Sequence, residues 1–507
     1  MDPSLTWYRD ELEFFDNYVI PLAMELKDCD AFVVSSDEYL NYALKNRHKW
    51  AAKGKDVVTS MIAKAVITKG SVPPTRKVSV GPIYESKAAE ESASADTLPK
   101  QKQRLVDWNV EMLQRLLKQI VANRVVAGNS SGGGIPALDL DHEETPIDEV
   151  SDIITFAGFN ASCGVTRYEQ DADSVELGVA VVSQLRDYVT DMSLKFKDNP
   201  FHCIDHGSHV CMTTRKLLSR IVSSTTNGAQ QATENLASVA LHDRTFGISS
   251  DPLAQFAVVF AALIHDVDHS GVPNDQLALE SSELAEKYKE RSISEQHSID
   301  LAWDHLMQPG FEDLRSSIFS DESELKRFRQ IIVNAVMATD CVNEQLVSDR
   351  KARWEKAIVE GRHDKSPANT NRKATVVIEM LMQTADIFHA VQNWHLYFKW
   401  NERLFQEMYQ AYQAGRLLQD PSIFWYKSEL LFFDEHVIPV AKQMTECDVF
   451  GKSGDEYLSF ALSNRQQWAT KGGNLVASMM ARFHGKVVGK ARTKRMHKRM
   501  SLSAKQA

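Results

Sequence analysis

Three histidines stand close together in the stretch FHCIDHGSHV, residues 201–210. His202 and His206 are four positions apart, and His209 follows three positions later. Because residues three or four apart share one face of a helix, the three imidazole rings would lie near one another. Such a group could be buried polar residues of a core, a surface stripe, or a metal or proton-transfer site. The stretch by itself leaves all three interpretations open.

A second group of potential ligands follows a strongly apolar run in AALIHDVDHSGVPN, residues 261–274. His265, Asp266 and His269 come where a glycine and a proline end the run, as at the end of a buried helix. An imidazole nitrogen beside a carboxylate oxygen is a natural pair of metal ligands. The alternative is a helix end with ordinary polar residues.

Asp386 is a third candidate, since it follows the apolar run of ATVVIEMLMQTADIFH, residues 374–389. A lone carboxylate facing a core is costly unless it is paired with a cation or binds a metal, and a salt bridge to an arginine is the alternative. With His206, His265 and Asp266 it would give two nitrogens and two carboxylates, a shell for one divalent transition metal. Asp266 has a second oxygen for a harder cation such as Mg²⁺. Metal pairs of this kind are the usual apparatus of phosphoester hydrolysis.

The segments that carry these candidate ligands are predicted to be helices. Apolar residues at Leu105, Trp108, Met112 and Leu116 recur at helical spacing, and most of the chain from about 148 to 485 has the same pattern. No alternating run is long enough for a sheet, so the predicted fold class is all-α. Residues 66–103 are rich in Pro, Ser, Ala and charge, which predicts a flexible linker.

The two ends of the chain repeat one another. WYRDELEFFDNYVIPLAMELKDCDAF begins at Trp7 and WYKSELLFFDEHVIPVAKQMTECDVF begins at Trp425. The pairing continues without a gap at an offset of 418 positions, through DEYLNYALKNRHKWAAKG and DEYLSFALSNRQQWATKG, with about half the residues identical. Each copy predicts two helices. Residues 1–65 are therefore predicted to be a separate helical segment that repeats 425–479, the remnant of a preceding domain of the same kind.

The overall composition is typical of a soluble globular protein. Hydrophobic residues make up 43% of the 507 and charged residues 25%. The net charge is -10, and nine Lys or Arg with no acid follow residue 481, so the part of the chain before the tail is acidic. An acidic surface argues against broad nucleic-acid binding. The basic tail, 486–507, is predicted to be a solvated extension, with a membrane-surface or targeting patch as the alternative.

Cysteine usage and apolar runs favour a cytoplasmic protein. The six cysteines are scattered without a CxxC, which predicts neither a zinc ribbon nor a disulfide framework. The N-terminus lacks the features of a signal peptide. The most apolar run, residues 256–264, is too short to cross a bilayer, so no transmembrane segment is predicted.

The order and spacing of FHCIDHGSHV, HDVDHSGVPN, ERSISEQH, MATD and TADIFH resemble the class I 3′,5′-cyclic nucleotide phosphodiesterases. The resemblance runs from about Leu105 to about residue 485. It implies a compact multi-helix catalytic domain of the HD type over 104–485. It also implies hydrolysis of a 3′,5′-cyclic nucleotide substrate to the nucleoside 5′-monophosphate, which ends a cyclic-nucleotide signal.

The resemblance assigns roles residue by residue. His206, His265, Asp266 and Asp386 match the ligands of the family's tighter metal site, usually Zn²⁺, and Asp266 also reaches a second metal, usually Mg²⁺ or Mn²⁺. His202 matches the general acid that donates a proton to the leaving O3′. The expected helix places it one turn from His206.

Further matching positions surround the metals in the family. His269 and Glu295 match residues that orient metal-bound waters, and Asp340 lies in the matching TD pair. His209 is expected to pack or to belong to this outer layer. Cys203 stands where the family usually has Asn, so local hydrogen bonding must differ.

The base pocket departs from the family more clearly. Glu429 stands where the family has a Gln that hydrogen-bonds the purine, and Phe432 matches the stacking Phe. The N-terminal copy also has Glu at this position, Glu11. An ionised Glu only accepts hydrogen bonds, and guanine presents two adjacent donors, so cGMP is predicted to be favoured over cAMP. His389 stands where the family often has Asn near the base.

Other functions compete with this one. The chain could be an HD-type phosphohydrolase acting on another phosphoester, or an inactive cyclic-nucleotide-binding module. A larger, membrane-attached parent protein is conceivable. For the N-terminal copy, a loosely packed relic is one interpretation. Exchange with 425–479, within one chain or in a homodimer, is the other.

Overall fold

The computed structural model is helical throughout the part of the chain that it describes. No residue of this part lies in a β-strand, and the predicted all-α class is confirmed. The predicted linker falls outside this part except for its last residues, as does the extreme end of the basic tail. The described residues are 7–28, 40, 43–44, 46–55, 57–58, 99–126, 145–156, 172, 174–223, 234–450 and 452–503.

The chain divides into two compact units, Met1–Thr97 and Leu98–Ala507. The first unit contains α1 (Trp7–Phe14) and α2 (Ile20–Asp28), joined by a π-helical turn at Phe15–Val19. Further helical residues lie between positions 40 and 58. The Tyr8 hydroxyl donates to the carbonyl of Ala51 at 2.9 Å, and Trp50 Nε1 donates to the carbonyl of Tyr8 at 3.1 Å. These two bonds hold the parts of the unit together.

The second unit is an assembly of helices, and its first helix begins at Lys100, four residues before the predicted domain start at 104. Its α-helices in the described ranges are α3 (Lys100–Val126), α4 (Val179–Lys195), α5 (Ile204–Ser223), α6 (Glu234–Arg244), α7 (Pro252–Ile264), α8 (Asn274–Glu280), α9 (Ser282–Lys287), α10 (Ile293–Leu306), α11 (Glu312–Ile318), α12 (Glu322–Met337), α13 (Glu344–Trp354), α14 (Pro367–Asp386), α15 (Trp394–Gln413), α16 (Pro421–Phe432), α17 (Ile438–Glu446) and α18 (Lys452–Ser503).

The helix α7 forms the centre of this unit. Its start is fixed by Asp251, whose side chain accepts the backbone N–H of Ala254 at 3.0 Å, and by Pro252 in the first turn. Nearly every residue after that is apolar and buried. A helix that is apolar on all sides must be surrounded by other elements, and α3, α5 and α12 pack around it.

Three helices bring the predicted metal ligands together. His206 lies in the first turn of α5, His265 follows the last residue of α7, and Asp386 is the last residue of α14. The three helices pack against one another. Their ends therefore meet at one place in the second unit.

The C-terminal helices cover α15. A π-helical turn at Phe433–Val437 links α16 to α17, as in the first unit. Trp468 of α18 is fully buried, with its ring centroid 6.0 Å from that of Tyr397 and 6.5 Å from that of Trp394.

None of the described helices has the length and apolar character needed to span a bilayer.

The packing of α7 predicts where stability is most sensitive. Phe260 is 1% exposed and stacks on Tyr188 with centroids 5.4 Å apart. Phe260→Ala is expected to lower the free energy of unfolding by about 3–5 kcal/mol, because it leaves a cavity. Denaturant titration measures the effect. The control Leu418→Ala, at a side chain 93% exposed, should change the free energy by less than about 0.5 kcal/mol. Equal midpoints for the two variants would contradict the central role of α7.

Candidate active site

Four potential ligand side chains converge where the three helix ends meet. His206 Nε2 lies 2.9 Å from Asp386 Oδ1 and 3.5 Å from Asp266 Oδ2. His265 Nε2 lies 3.2 Å from Asp266 Oδ2 and 3.5 Å from Asp386 Oδ1. Donor atoms about 2.1 Å from one metal ion lie roughly 3.0–3.4 Å from one another. The ligand atoms of His206, His265 and Asp266 all lie within 4.8 Å of one another, a spacing that fits a single divalent cation, and Asp386 Oδ1 lies beside both imidazoles.

The hydrogen bonding of the cluster also fits a cation. His265 Nδ1 donates to the carbonyl of Ala262 at 2.9 Å, which leaves the lone pair of Nε2 directed at the cluster. Within the described ranges, three buried atoms of the cluster lack a hydrogen-bond partner: His265 Nε2, Asp266 Oδ2 and His206 Nδ1. Buried polar atoms without partners are rare, and a bound cation would satisfy the two that face the cluster centre.

The two carboxylates of the cluster are held in the ionised form that binds metals. Burial by itself raises the pKa of Asp386, but His206, which hydrogen-bonds the carboxylate, and the neighbouring His265 outweigh burial and lower it. Burial opposes the ionisation of Asp266 as well, and the neighbouring His265 and His202 hold its pKa well below the ordinary value. Both side chains are therefore acceptors at neutral pH.

His202 lies beside this cluster, but the prediction that it sits on the same helix as His206 is wrong. The helix α5 begins at Ile204, two residues later, and the ring centroids of His202 and His206 are 6.2 Å apart. Its position depends on Glu407 of α15. Glu407 Oε2 accepts the backbone N–H groups of Phe201 at 2.8 Å and of His202 at 3.0 Å, and Oε1 accepts His202 Nδ1 in a short hydrogen bond.

The Glu407 carboxylate also sets the charge of His202. Burial lowers the pKa of His202, but the negative charges of Glu407 and Asp266 outweigh it and raise the pKa to about 9. In turn, burial opposes ionisation of Glu407, and the charge of His202 lowers its pKa to about 2. The sequence analysis missed Glu407. Its partner His202 is 205 positions away, so no local motif links the two. The one available signal was its place among the aromatic residues of a helix, which indicates a buried position.

His269 and His209, the remaining histidines of the two motifs, are neutral. The ring of His269 lies 3.8 Å from that of His202, and burial followed by the charge of His202 lowers the pKa of His269 to about 3. His209 packs on Trp400 with centroids 5.2 Å apart, and burial lowers its pKa to about 4. His202, His269 and Glu407 offer donor atoms close enough for an ion, but His202 and two backbone N–H groups already occupy the oxygens of Glu407.

Glu295 and Asp340 have different surroundings. Glu295 lines the cavity next to the cluster, accepts from Asn274 Nδ2 at 2.9 Å, and has its pKa raised to about 8 by burial and the charge of Asp340. Asp340 accepts Ser292 Oγ at 2.6 Å, and its other oxygen accepts two backbone N–H groups of the following turn. The structure thus turns Asp340 towards its own loop, while Glu295 faces the cavity.

The cavity beside the ligands has a volume of about 230 Å³. His202, Asp266 and Asp386 line it together with the predicted base-binding residues Glu429, Phe432 and His389. Tyr397 and Asn401 were not predicted, yet both support Glu429. The Tyr397 hydroxyl donates to Glu429 Oε2 at 2.6 Å. Burial raises the pKa of Glu429 to about 7, against the hydrogen bonds of Tyr397 and Asn401, which lower it.

Two positions that differ from the related family have local partners. Cys203 Sγ accepts from Arg403 Nη2 at 3.3 Å, and Arg403 also binds Asp205 at 3.2 Å. His389 is buried with its ring 5.8 Å from Phe201, and burial, followed by the charge of His206, lowers its pKa to about 3. His389 is therefore a neutral side chain in the wall of the cavity.

Comparison with known proteins agrees with this geometry. Residues 201–448 match the family model for 3'5'-cyclic nucleotide phosphodiesterase. The human dual specificity calcium/calmodulin-dependent 3',5'-cyclic nucleotide phosphodiesterase 1C is 27% identical over 214 residues, which are 42% of this chain and 25% of that protein. A Drosophila melanogaster 3',5'-cyclic-AMP phosphodiesterase, isoform F, is 30% identical over 216 residues, 42% of this chain and 28% of that protein.

The matched part is short compared with these relatives, since the chain spans only 25% to 28% of their length. Among solved structures, the phosphodiesterase domain of Salpingoeca rosetta rhodopsin phosphodiesterase aligns with a TM-score of 0.47 at 20% identity, covering 69% of this chain and 99% of that one. The family match covers the helix ends that carry all four metal-ligand candidates and His202. The second unit of this chain therefore contains a class I catalytic domain of the 3',5'-cyclic nucleotide phosphodiesterase family.

Proposed function

We propose that this chain hydrolyses 3′,5′-cyclic nucleotides to nucleoside 5′-monophosphates. One observation carries the proposal: two histidines and two carboxylates meet in a cluster beside His202, and one cavity joins this group to Glu429 and Phe432. A cyclic nucleotide has a phosphodiester at one end and a purine at the other. The cavity offers suitable groups for both ends.

His202 is proposed to act as the general acid. In the hydrolysis, an oxygen of water bonds to phosphorus and gives up one proton, the bond from phosphorus to O3′ breaks, and O3′ takes up a proton from the general acid. A group with a pKa of about 9 is protonated at neutral pH and can donate that proton. With Nδ1 bound to Glu407, the proton available to the substrate is the one on Nε2.

His206, His265 and Asp266 would hold the tighter metal together with Asp386, which lies beside both imidazoles, and we propose Zn²⁺ there because two of the ligand atoms are imidazole nitrogens. Asp266 would also contact a harder cation, Mg²⁺ or Mn²⁺. When bound, such metals neutralise phosphate charge and activate water for attack. The described side chains contribute the ligands, the ionised state of both carboxylates, and the position of His202.

Glu429 is proposed to select the base. As a carboxylate it only accepts hydrogen bonds, which suits the adjacent N1–H and 2-amino donors of guanine. As a carboxylic acid it both donates and accepts, which suits N1 and the 6-amino group of adenine. A pKa of about 7 places the change of form at neutral pH. The preference should therefore shift towards cGMP as the pH rises.

The metal ligands provide the first test of activity. Asp386→Ala in the full chain is expected to lower kcat/KM for cGMP and cAMP by about 10³ or more, because the cluster loses an ionised ligand. A chelator should abolish hydrolysis by the wild-type chain, and added Zn²⁺ with Mg²⁺ should restore it. The control Asp187→Ala changes an exposed carboxylate and should leave both rates unchanged. Full activity in chelator would contradict the proposed function.

The Glu407 carboxylate predicts a pH effect. Protonated His202 is required, so activity falls as the pH rises through the pKa of His202. Glu407→Gln removes the largest charge that raises this pKa, so the basic limb of the kcat/KM profile should move to lower pH by about 1–2 units. The exposed Glu283→Gln is the control. An unmoved limb in Glu407→Gln would show that another group donates the proton.

The protonation of Glu429 predicts a pH-dependent preference. Between pH 6 and pH 8 the ratio of kcat/KM for cGMP to that for cAMP should rise by about tenfold. Glu429→Gln should flatten this dependence, since an amide does not titrate in that range and can rotate to pair with either base. The matched control is Glu11→Gln, at the same position of the N-terminal copy. A ratio independent of pH in the wild-type chain would refute the role of Glu429.

A further inference from the structure

The first unit folds like the C-terminal segment that it repeats. The Tyr8 bond to Ala51 at 2.9 Å has its counterpart in Tyr426, which donates to Ala469 at 2.9 Å. The Trp50 bond to Tyr8 corresponds to that from Trp468 to Tyr426, both at 3.1 Å. Each copy also has a π-helical turn, at Phe15–Val19 and Phe433–Val437. The equivalent residues thus make the same internal contacts.

The C-terminal copy uses a second set of side chains to dock on the catalytic domain. Trp425 Nε1 donates to Asn401 at 3.3 Å, and its ring lies 5.2 Å from Phe405. Asn464 Nδ2 donates to the carbonyls of residues 390 and 392, at 2.9 and 2.7 Å. Glu429, Phe433 and Trp468 all contact Tyr397 of α15. We call the recipient region, 388–409, the α15 surface.

Every one of these docking residues is identical in the N-terminal copy. The counterparts of Trp425, Glu429, Phe433, Asn464 and Trp468 are Trp7, Glu11, Phe15, Asn46 and Trp50. Exposed positions between them differ, as in Asp10 against Ser428 and His48 against Gln466. Identity is thus retained at the positions that bind the α15 surface.

In the first unit two of these docking residues, Trp7 and Asn46, are exposed, and the other three are only partly buried. Trp7 is 51% exposed, whereas Trp425 is 6% exposed. Asn46 is exposed, whereas Asn464 is 1% exposed and bonded to two carbonyls. Exposed tryptophan and a set of polar groups matched to a known surface indicate a missing partner.

We propose that the described helical residues of the first unit, which carry Trp7, Glu11, Phe15, Asn46 and Trp50, are a docking segment for the α15 surface of a second copy of this chain. The described part of one chain has a single α15 surface and two segments that fit it, so both cannot be docked on one chain. The N-terminal segment of one chain would occupy the α15 surface of another when the C-terminal segment there is displaced. This proposal rests on packing and does not depend on the proposed activity.

The test uses isosteric variants of the full chain at one matched pair of positions. An aspartate at 464 has no donor for the two carbonyls that Asn464 binds, so Asn464→Asp should displace the C-terminal segment. Asn46→Asp should disable the N-terminal segment for docking, without harm to its fold because Asn46 is exposed. His48→Asp and Gln466→Asp add the same charge at exposed positions of each copy and serve as controls.

Sedimentation velocity and thermal unfolding distinguish the outcomes. Asn464→Asp is expected to form dimers with a Tm close to that of the wild-type chain. The double variant Asn46→Asp, Asn464→Asp should be monomeric, with a Tm lower by roughly 5 °C or more. Asn46→Asp alone should resemble the wild-type chain, since its C-terminal segment remains docked.

Three results would overturn the proposal. In the first, Asn464→Asp is monomeric and Asn46→Asp adds nothing to its effect. In the second, Asn464→Asp fails to fold although Asn46 is intact, which shows that the N-terminal segment does not replace the C-terminal one. In the third, the Tm depends on Asn46 while the chain stays monomeric, which would place the segment on its own chain. None of these readouts requires catalysis, so failure of the proposed activity would be separately visible.

Discussion

The mutual neutralisation of two partly buried carboxylates and the buried imidazoles around them is the constraint on which the catalytic domain depends. Asp266 and Asp386 lie within 3.5 Å of both His206 and His265, and removal of their charges from water is tolerable only with such partners or a cation. This requirement fits the meeting of three helix ends at one place, the start of α5 and the last residues of α7 and α14. The inner helix α7 is apolar at every position but Gln255 until it ends directly before His265, where the polar groups of the cluster begin.

A single helix, α15, determines the chemistry on both sides of this cluster. Its Glu407 keeps His202 protonated, and its Tyr397 binds Glu429. Both glutamates are buried, and burial raises the pKa of each. At Glu407 the charge of His202 outweighs burial and the pKa is about 2, whereas at Glu429 burial has the larger effect and the pKa is about 7. The difference lies in the partner: a cationic imidazole for Glu407 and neutral donors for Glu429. The same helix thus supports Glu407 as a charged carboxylate and Glu429 as a carboxyl group that titrates near neutral pH.

The α15 helix also connects catalysis to the repeated segment. The side chains that dock the C-terminal copy on α15 include Glu429, which lines the cavity, so docking and the proposed base recognition share a residue. Whichever segment covers α15 brings a glutamate to this position, since the N-terminal copy has Glu11 there. The proposed exchange and the proposed base selection would therefore be coupled through the same contact.

The sequence by itself determined the all-α class, the repeat, and the ligand motifs, because these depend on local spacing: histidine pairs four apart, polar residues at the ends of apolar runs, and a constant offset between copies. Only the tertiary structure decided the partners. Glu407 lies 205 positions from His202, and Tyr397 lies 32 positions from Glu429, so no local pattern links them. The sequence placed Asp340 only by its TD pair, and the fold supplies its partners, Ser292 and the backbone of its own turn. Charge states such as that of Glu429 depend on burial and on neighbours brought together by packing, which a linear pattern does not contain.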